Sequence, residues 1–236
     1  MPNNYFRFKQ FTIWHDKCAM KVGTDGVLLG AWADIENKKQ ILDIGTGTGL
    51  IALMLAQRSS ATIDAIDIET SAIEQAKENF KRSNWNNRIE SYHKALQDFT
   101  PKHTYDLIVS NPPFFQKSLI SPLKERSIAR HDETLPISKL FDFASEYLED
   151  KGVFSLIYPI DNFEQALEYG QSKNLYLKRK TLVFPTPESK SKRILSEFSK
   201  EKLLNPVVNK IIIESSGRHQ YSEEYIHLTK DFYLKM

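Results

Sequence analysis

The 236-residue chain has one cysteine, Cys18, which excludes an intrachain disulfide and points to a reducing, cytoplasmic setting. That lone thiol reads as a buried bystander. No run approaches the roughly 18 apolar residues of a membrane span. The N-terminal MPNNYFRFKQ lacks the apolar core of a secretory signal, so no membrane partner is expected. Internal repeats and low-complexity tracts are absent. No metal partner is expected either, and nothing in the sequence speaks to oligomeric state. What remains, 41% hydrophobic and 26% charged residues, is the composition of an ordinary globular protein long enough for a sizeable core.

Excess charge is also scarce, at a formal net +2, but it is unevenly spread. Residues 171–202 carry nine basic side chains (Lys173, Lys178, Arg179, Lys180, Lys190, Lys192, Arg193, Lys200, Lys202) against three acids (Glu188, Glu197, Glu201). A local basic patch on a near-neutral chain is either a footprint for a polyanion or a solvated face.

Strand and helix patterns alternate from residue 40. QILDIG (40–45), TIDAID (62–67), RIESYH (88–93), YDLIVS (105–110), VFSLIY (153–158), LYLKRKTLVF (175–184) and NKIIIES (209–215) read as strands. Thr48–Arg58, Thr70–Arg82, Ile137–Leu148 and Asn162–Ser172 read as helices, with Thr70 or Ser71 as an N-cap. This predicts an α/β fold: a doubly wound, mostly parallel, seven-stranded Rossmann-like sheet with an antiparallel C-terminal strand. The Ser/Lys-rich run 188–203 is expected to pack loosely between the last two strands. A single domain is expected, with residues 1–39 a β-rich and loop extension packing on a core of 40–236.

Asp43-Ile44-Gly45-Thr46-Gly47-Thr48-Gly49 falls where the first core strand meets its helix. Glycines there let a ligand approach backbone that side chains would shield, and the helix start offers unpaired N–H groups. Asp67 closes the next strand 20 residues after Gly47, the spacing that delivers a carboxylate to a ribose diol. An adenosine-type cofactor follows. The third glycine comes one residue early for the NAD pattern, and the carboxylate of Asp43 suits a cationic ligand better than a diphosphate. Both points favour S-adenosylmethionine over NAD.

The strand YDLIVS stops at Asn111-Pro112-Pro113-Phe114, because neither proline has an N–H to donate. An amide oxygen and a following carbonyl, held rigid by proline, make two acceptors for a planar amino group. Accepting both N–H bonds out of plane favours the pyramidal nitrogen needed for attack. Phe114 can stack on a flat substrate, an interaction worth about 1–3 kcal/mol per base.

These two motifs together resemble class I S-adenosylmethionine-dependent methyltransferases that act on exocyclic amino groups. The head, Phe11-Thr12-Ile13 and Cys18-Ala19-Met20-Lys21-Val22-Gly23-Thr24-Asp25-Gly26-Val27-Leu28-Leu29-Gly30-Ala31-Trp32, resembles the bacterial tRNA (adenine-N6)-methyltransferases. Further likeness lies at Glu78-Asn79, Asn84-Trp85, Arg88-Ile89-Glu90 and Ala129-Arg130-His131. The resemblance covers about residues 8 to 160 and only loosely the rest. It implies methylation of adenine 37 of valine tRNA. It also implies Thr24 and Asp25 near the methionine end of the cofactor and Asp67 on its ribose. The family usually has an acid shortly after the third strand to meet the cofactor adenine. Ala95 stands there in this chain, which leaves the Leu96 backbone, Gln97 or Asp98. Arg126, Arg130 and His131, in the loop after the tip, are candidates to grip phosphate with Lys178, Arg179, Lys180, Lys190, Lys192 and Arg193.

The tip alone leaves the acceptor open. Protein glutamine and guanine-N2 of ribosomal RNA are alternatives, but the accessory domains such enzymes carry are not found here. DNA adenine methylation would need a large recognition domain. A non-catalytic cofactor-binding module would have no use for Asn111.

Overall fold

Apolar runs bounded by turn residues form the expected strands in the computed structural model, which describes residues 3–18, 21–113 and 135–236. A hairpin of β1 (Tyr5–Arg7) and β2 (Thr12–Trp14) leads to α1 (Thr24–Trp32). Then follow β3 (Gln40–Ile44), α2 (Leu50–Arg58), β4 (Thr62–Asp67), α3 (Thr70–Lys81), β5 (Ile89–His93) and β6 (Tyr105–Ser110). The second half holds α4 (Ile137–Tyr147), β7 (Leu148–Pro159), α5 (Phe163–Ser172), β8 (Tyr176–Phe184), β9 (Arg193–Ser199), β10 (Val207–Ile212) and α6 (Glu223–Thr229).

The main sheet runs β10-β8-β9-β7-β6-β3-β4-β5, with every pairing parallel except the two made by β9. The doubly wound, mostly parallel class is as expected, but the strand count is eight rather than seven. The added strand is β9, inside the run expected to pack loosely. Both of its faces are covered, so Ile194 through Ser199 are all buried and no alternation marks it. It also moves the antiparallel element. The last two strands do not form a hairpin; β10 pairs parallel with β8, and the chain reverses twice to get there.

Side chains of the sheet alternate between two cores. Leu107, Val109, Val153, Ile157 and Leu195 meet α1 and α2, while Ile108, Phe154, Leu156, Ile194 and Phe198 meet α4 and α5. The first core also takes Phe8, Phe11 and Ile13 from the N-terminal segment, Val27, Leu28, Leu29, Ala31 and Trp32 from α1, and Ala33 just after it. Cys18 is only half-buried. Among the described residues, no helix is long and apolar enough to cross a membrane.

Candidate active site

The carboxyl ends of β3, β4 and β6 form one rim, where α/β sheets bind ligands. Between β3 and α2, Gly45, Gly47 and Gly49 have φ of +72°, +56° and +83°, the left-handed region that side chains disfavour. A Cβ at Gly45 or Gly47 would meet nothing within 4 Å, so the space over the turn is open to a ligand. At Gly49 it would lie 2.4 Å from the Phe80 ring, so that glycine also lets α2 pack on α3. Gly49 caps α2 without a side-chain partner, leaving first-turn amides facing the turn.

Asp67 secures this turn from β4. Its Oδ2 accepts from the Gly47 amide at 2.8 Å and its Oδ1 from the Glu69 amide at 2.9 Å. Each oxygen keeps a second lone pair for an incoming hydroxyl. The same contact explains why the N-cap of α3 is Glu69, with no side-chain cap bond, rather than Thr70 or Ser71: the carboxylate of Asp67 already meets a backbone donor there.

Asp43 lies fully buried on β3 beneath the turn. Its Oδ2 accepts from the Thr46 hydroxyl at 2.7 Å, while Oδ1 has no hydrogen-bond partner. Burial pushes its carboxyl up to about 7; the Thr46 hydroxyl works against that shift. A buried carboxylate below an open glycine turn fits a cationic cofactor, as S-adenosylmethionine is, and fits a diphosphate poorly.

Asn111 continues β6, and the Ser110 hydroxyl just before it donates to the Ile44 carbonyl at 2.9 Å. Asn111 is half-buried, Pro112 buried and Pro113 exposed. It falls on the same face as Leu107 and Val109. A Cβ on Gly26 would sit 4.0 Å from Asn111 Nδ2 and 3.1 Å from Leu50, so the first turns of α1 and α2 flank the tip. The head and the tip, far apart in sequence, thus meet. Thr24 is exposed there, and Asp25 accepts from Arg193 Nε at 2.8 Å. Leu96 and Asp98 form a single 3-10 turn after β5 on the same rim, where the Lys94 amide bonds the Asp67 carbonyl; Leu96 is buried and Asp98 exposed. Phe114, Arg126, Arg130 and His131 lie outside the described residues.

The basic segment divides. Arg179 is not available to a phosphate. Its Nε and Nη2 donate to Glu197 at 2.5 and 2.8 Å, Nη2 also donates to the Trp32 carbonyl, and the guanidinium lies 3.8 Å over the Trp32 ring. Glu197 is wholly buried on β9 and needs that compensating cation, which overturns the expectation for Arg179. Arg193 is likewise engaged within the chain, with Asp25. Lys178 and Lys180 are half-buried on β8, Lys180 near the Phe163 ring, while Lys190 and Lys192 are exposed in the turn before β9. The Ile160 amide bonds the Lys192 carbonyl, which puts that turn on the rim where β7 ends.

One residue was missed by reading the sequence for chemistry. Asn79, 1% exposed on α3, accepts from the Trp14 amide and donates to the carbonyls of Trp14 and Thr48. A single amide joins the N-terminal segment to the glycine turn. Its signal was a polar residue on the apolar face of α3, beside Ala76 and Phe80.

The family model described as "Methyltransferase small domain" matches residues 21–159, from the head through the glycine turn and the tip to the end of β7. The chain belongs to that family. A methyltransferase relative from Phocaeicola vulgatus is 52% identical over the full length of both chains and is named tRNA1(Val) (adenine(37)-N6)-methyltransferase. One from Trichodesmium erythraeum with the same name is 47% identical, again with both chains fully covered. Among solved structures, a predicted O-methyltransferase from Agrobacterium tumefaciens matches with a TM-score of 0.67 at 17% identity, over 88% of this chain and 96% of that one. At that identity the likeness shows the methyltransferase fold alone.

Proposed function

We propose that this methyltransferase transfers the methyl group of S-adenosylmethionine to the exocyclic N6 of an adenine in tRNA, adenine 37 of tRNA1(Val). The observation that carries the reading is Asn111 at the end of β6, set beside α1 and on the same rim as the glycine turn and Asp67. The full-length relatives of that name support the choice of acceptor. The cofactor supplies an electrophilic methyl group on a sulfonium. Asp43, Thr24 and Asp25 are assigned to its amino-acid end, the backbone of Gly45, Gly47 and Gly49 to its close approach, Asp67 to the ribose, and the Leu96 backbone and Asp98 to the adenine.

Asn111 Oδ1 and the Pro112 carbonyl accept the two N–H groups of the target, and Pro112 and Pro113 keep that pair rigid. Held so, the amine nitrogen presents its lone pair instead of delocalising it into the ring. The target proton becomes acidic only once the methyl has moved, so no strong base is needed. Phe114 stacks on the target base, which must leave its helix to reach the rim. Lys178, Lys180, Lys190 and Lys192, with Arg126, Arg130 and His131, supply phosphate contacts. The reaction belongs in the cytoplasm, with its tRNA.

Incubation with tRNA and labelled cofactor, followed by digestion to nucleosides, tests the reading. N6-methyladenosine is the expected product, and N2-methylguanosine would overturn it. Asn111→Ala is expected to keep cofactor affinity and lose kcat by about 10²–10³, the scale of one preorganised hydrogen-bond partner.

A further inference from the structure

We infer that Arg193 is a positioning residue for methyl transfer: through its ion pair with Asp25 it holds the first turn of α1 against Asn111. The inference rests on the proposed role of Asn111. Strand parity puts the two residues on one face, since Asn111, just past the end of β6, follows Val109 by two and Arg193 precedes Leu195 by two on β9, and Val109 and Leu195 both pack in the α1 core. β7 separates the two strands, about 10 Å across at about 4.8 Å per strand, and the register sets Arg193 level with Pro159, two residues beyond the point opposite Asn111, so the two residues stand about 12 Å apart, too far for direct contact. The first turn of α1 fills the interval. On one side Gly26 faces the Asn111 amide, where an added Cβ would lie 4.0 Å from Nδ2, and on the other Asp25 Oδ2 receives Arg193 Nε at 2.8 Å.

That turn has little support of its own. Its N-cap is Gly23, with no side-chain hydrogen bond, and Asp25 is the only acid in it. Arg193 is better anchored. Its backbone is paired on both sides, with Pro159 of β7 and Val183 of β8, and its Nη1 donates to the Lys192 carbonyl at 3.1 Å. Rigidity therefore passes from the sheet through Arg193 and Asp25 to the backbone beside Asn111. A residue that instead bound phosphate would be read by salt dependence, which gives the test its contrast.

Arg193→Gln and Arg193→Lys, compared with the wild type, decide the matter. Arg193→Gln is expected to lower kcat 10- to 100-fold while KM for tRNA, the slope of tRNA affinity against salt, and Tm stay unchanged. Arg193→Lys, which restores the charge, is expected to recover part of that loss. Hydrogen exchange of the amides of residues 24–28, measured without any substrate, should speed up in Arg193→Gln and not in Arg193→Lys. An unchanged kcat, unchanged exchange, or a salt slope reduced by about one would overturn the inference, the last by making Arg193 a phosphate contact. If the wild type makes no N6-methyladenosine, the proposed function fails. The exchange readout still decides whether Arg193 holds the turn.

Discussion

Asp43 carries a proton question that the rest of the rim does not. Burial raises its carboxyl from 3.8 to about 7, so between those values the folded chain binds more protons than the unfolded one. Its contribution to stability is therefore best at low pH and is withdrawn as pH rises through that window. A bound cation favours the ionised form and turns this into ligand affinity. S-adenosylmethionine should bind up to about tenfold more tightly at pH 8 than at pH 6, as the competent ionised fraction grows. Titration calorimetry at the two pH values checks this, and Asp43→Asn should weaken binding and flatten the dependence. Asp67→Ala should weaken the cofactor at least tenfold, because a hydrogen bond to a charged group is worth about 1.5–3 kcal/mol and Gly47 loses its support as well. Equal affinity in a folded variant would remove Asp67 from the site. These residues were legible in the sequence because their geometry is local: a turn, and one strand–helix–strand unit. The internal use of Arg179 was not legible, because Glu197 reaches it only through strand pairing.

At the scale of elements, β8 and β9 separate two kinds of basic residue that the sequence presents as one run. Glu197→Gln breaks a buried ion pair and should cost about 3–5 kcal/mol, read as a large drop in Tm. The double variant Lys190→Ala, Lys192→Ala should leave Tm in place, lower tRNA affinity and reduce its salt slope by about two. Loss of stability in the lysine variant, or none in Glu197→Gln, would reverse the division. β9 escaped the sequence reading for a physical reason. Ser196 and Glu197 interrupt its apolar pattern: Glu197 is buried with Ser155, Arg179 and the Asp34 amide on its carboxylate, and the Ser196 hydroxyl is buried without a hydrogen-bond partner. α6 escaped because seven residues are too few to show a helical period, although Ser222 capping the Tyr225 amide was a readable start.

For the molecule as a whole, the alternation of strands and helices made the fold class legible, since it leaves few topologies open. The acceptor was less so, because an Asn-Pro-Pro-Phe tip serves any planar amine; the choice of adenine in tRNA came from likeness at the head. The N-terminal residues, expected to be an extension, share the main core. Phe8, Phe11, Ile13 and seven residues of α1 are buried, and Asn79 binds the chain at Trp14 to the glycine turn. A chain beginning at residue 40 should accordingly lose its cooperative thermal transition and its cofactor binding together, as calorimetry would show. A sharp transition near that of the full chain would make residues 1–39 a separable part.

The place of β9 between β7 and β8 also sets an order of events. Both neighbours leave the ribosome before it does, yet neither can complete its pairing without it. A nascent chain that ends near residue 192 therefore shows the unpaired flank of β7, backed by Leu156 and Ile157, and an open flank invites pairing with another chain. Closure of the sheet waits on a segment made late, so half-made copies are the form of this protein most in need of chaperone cover.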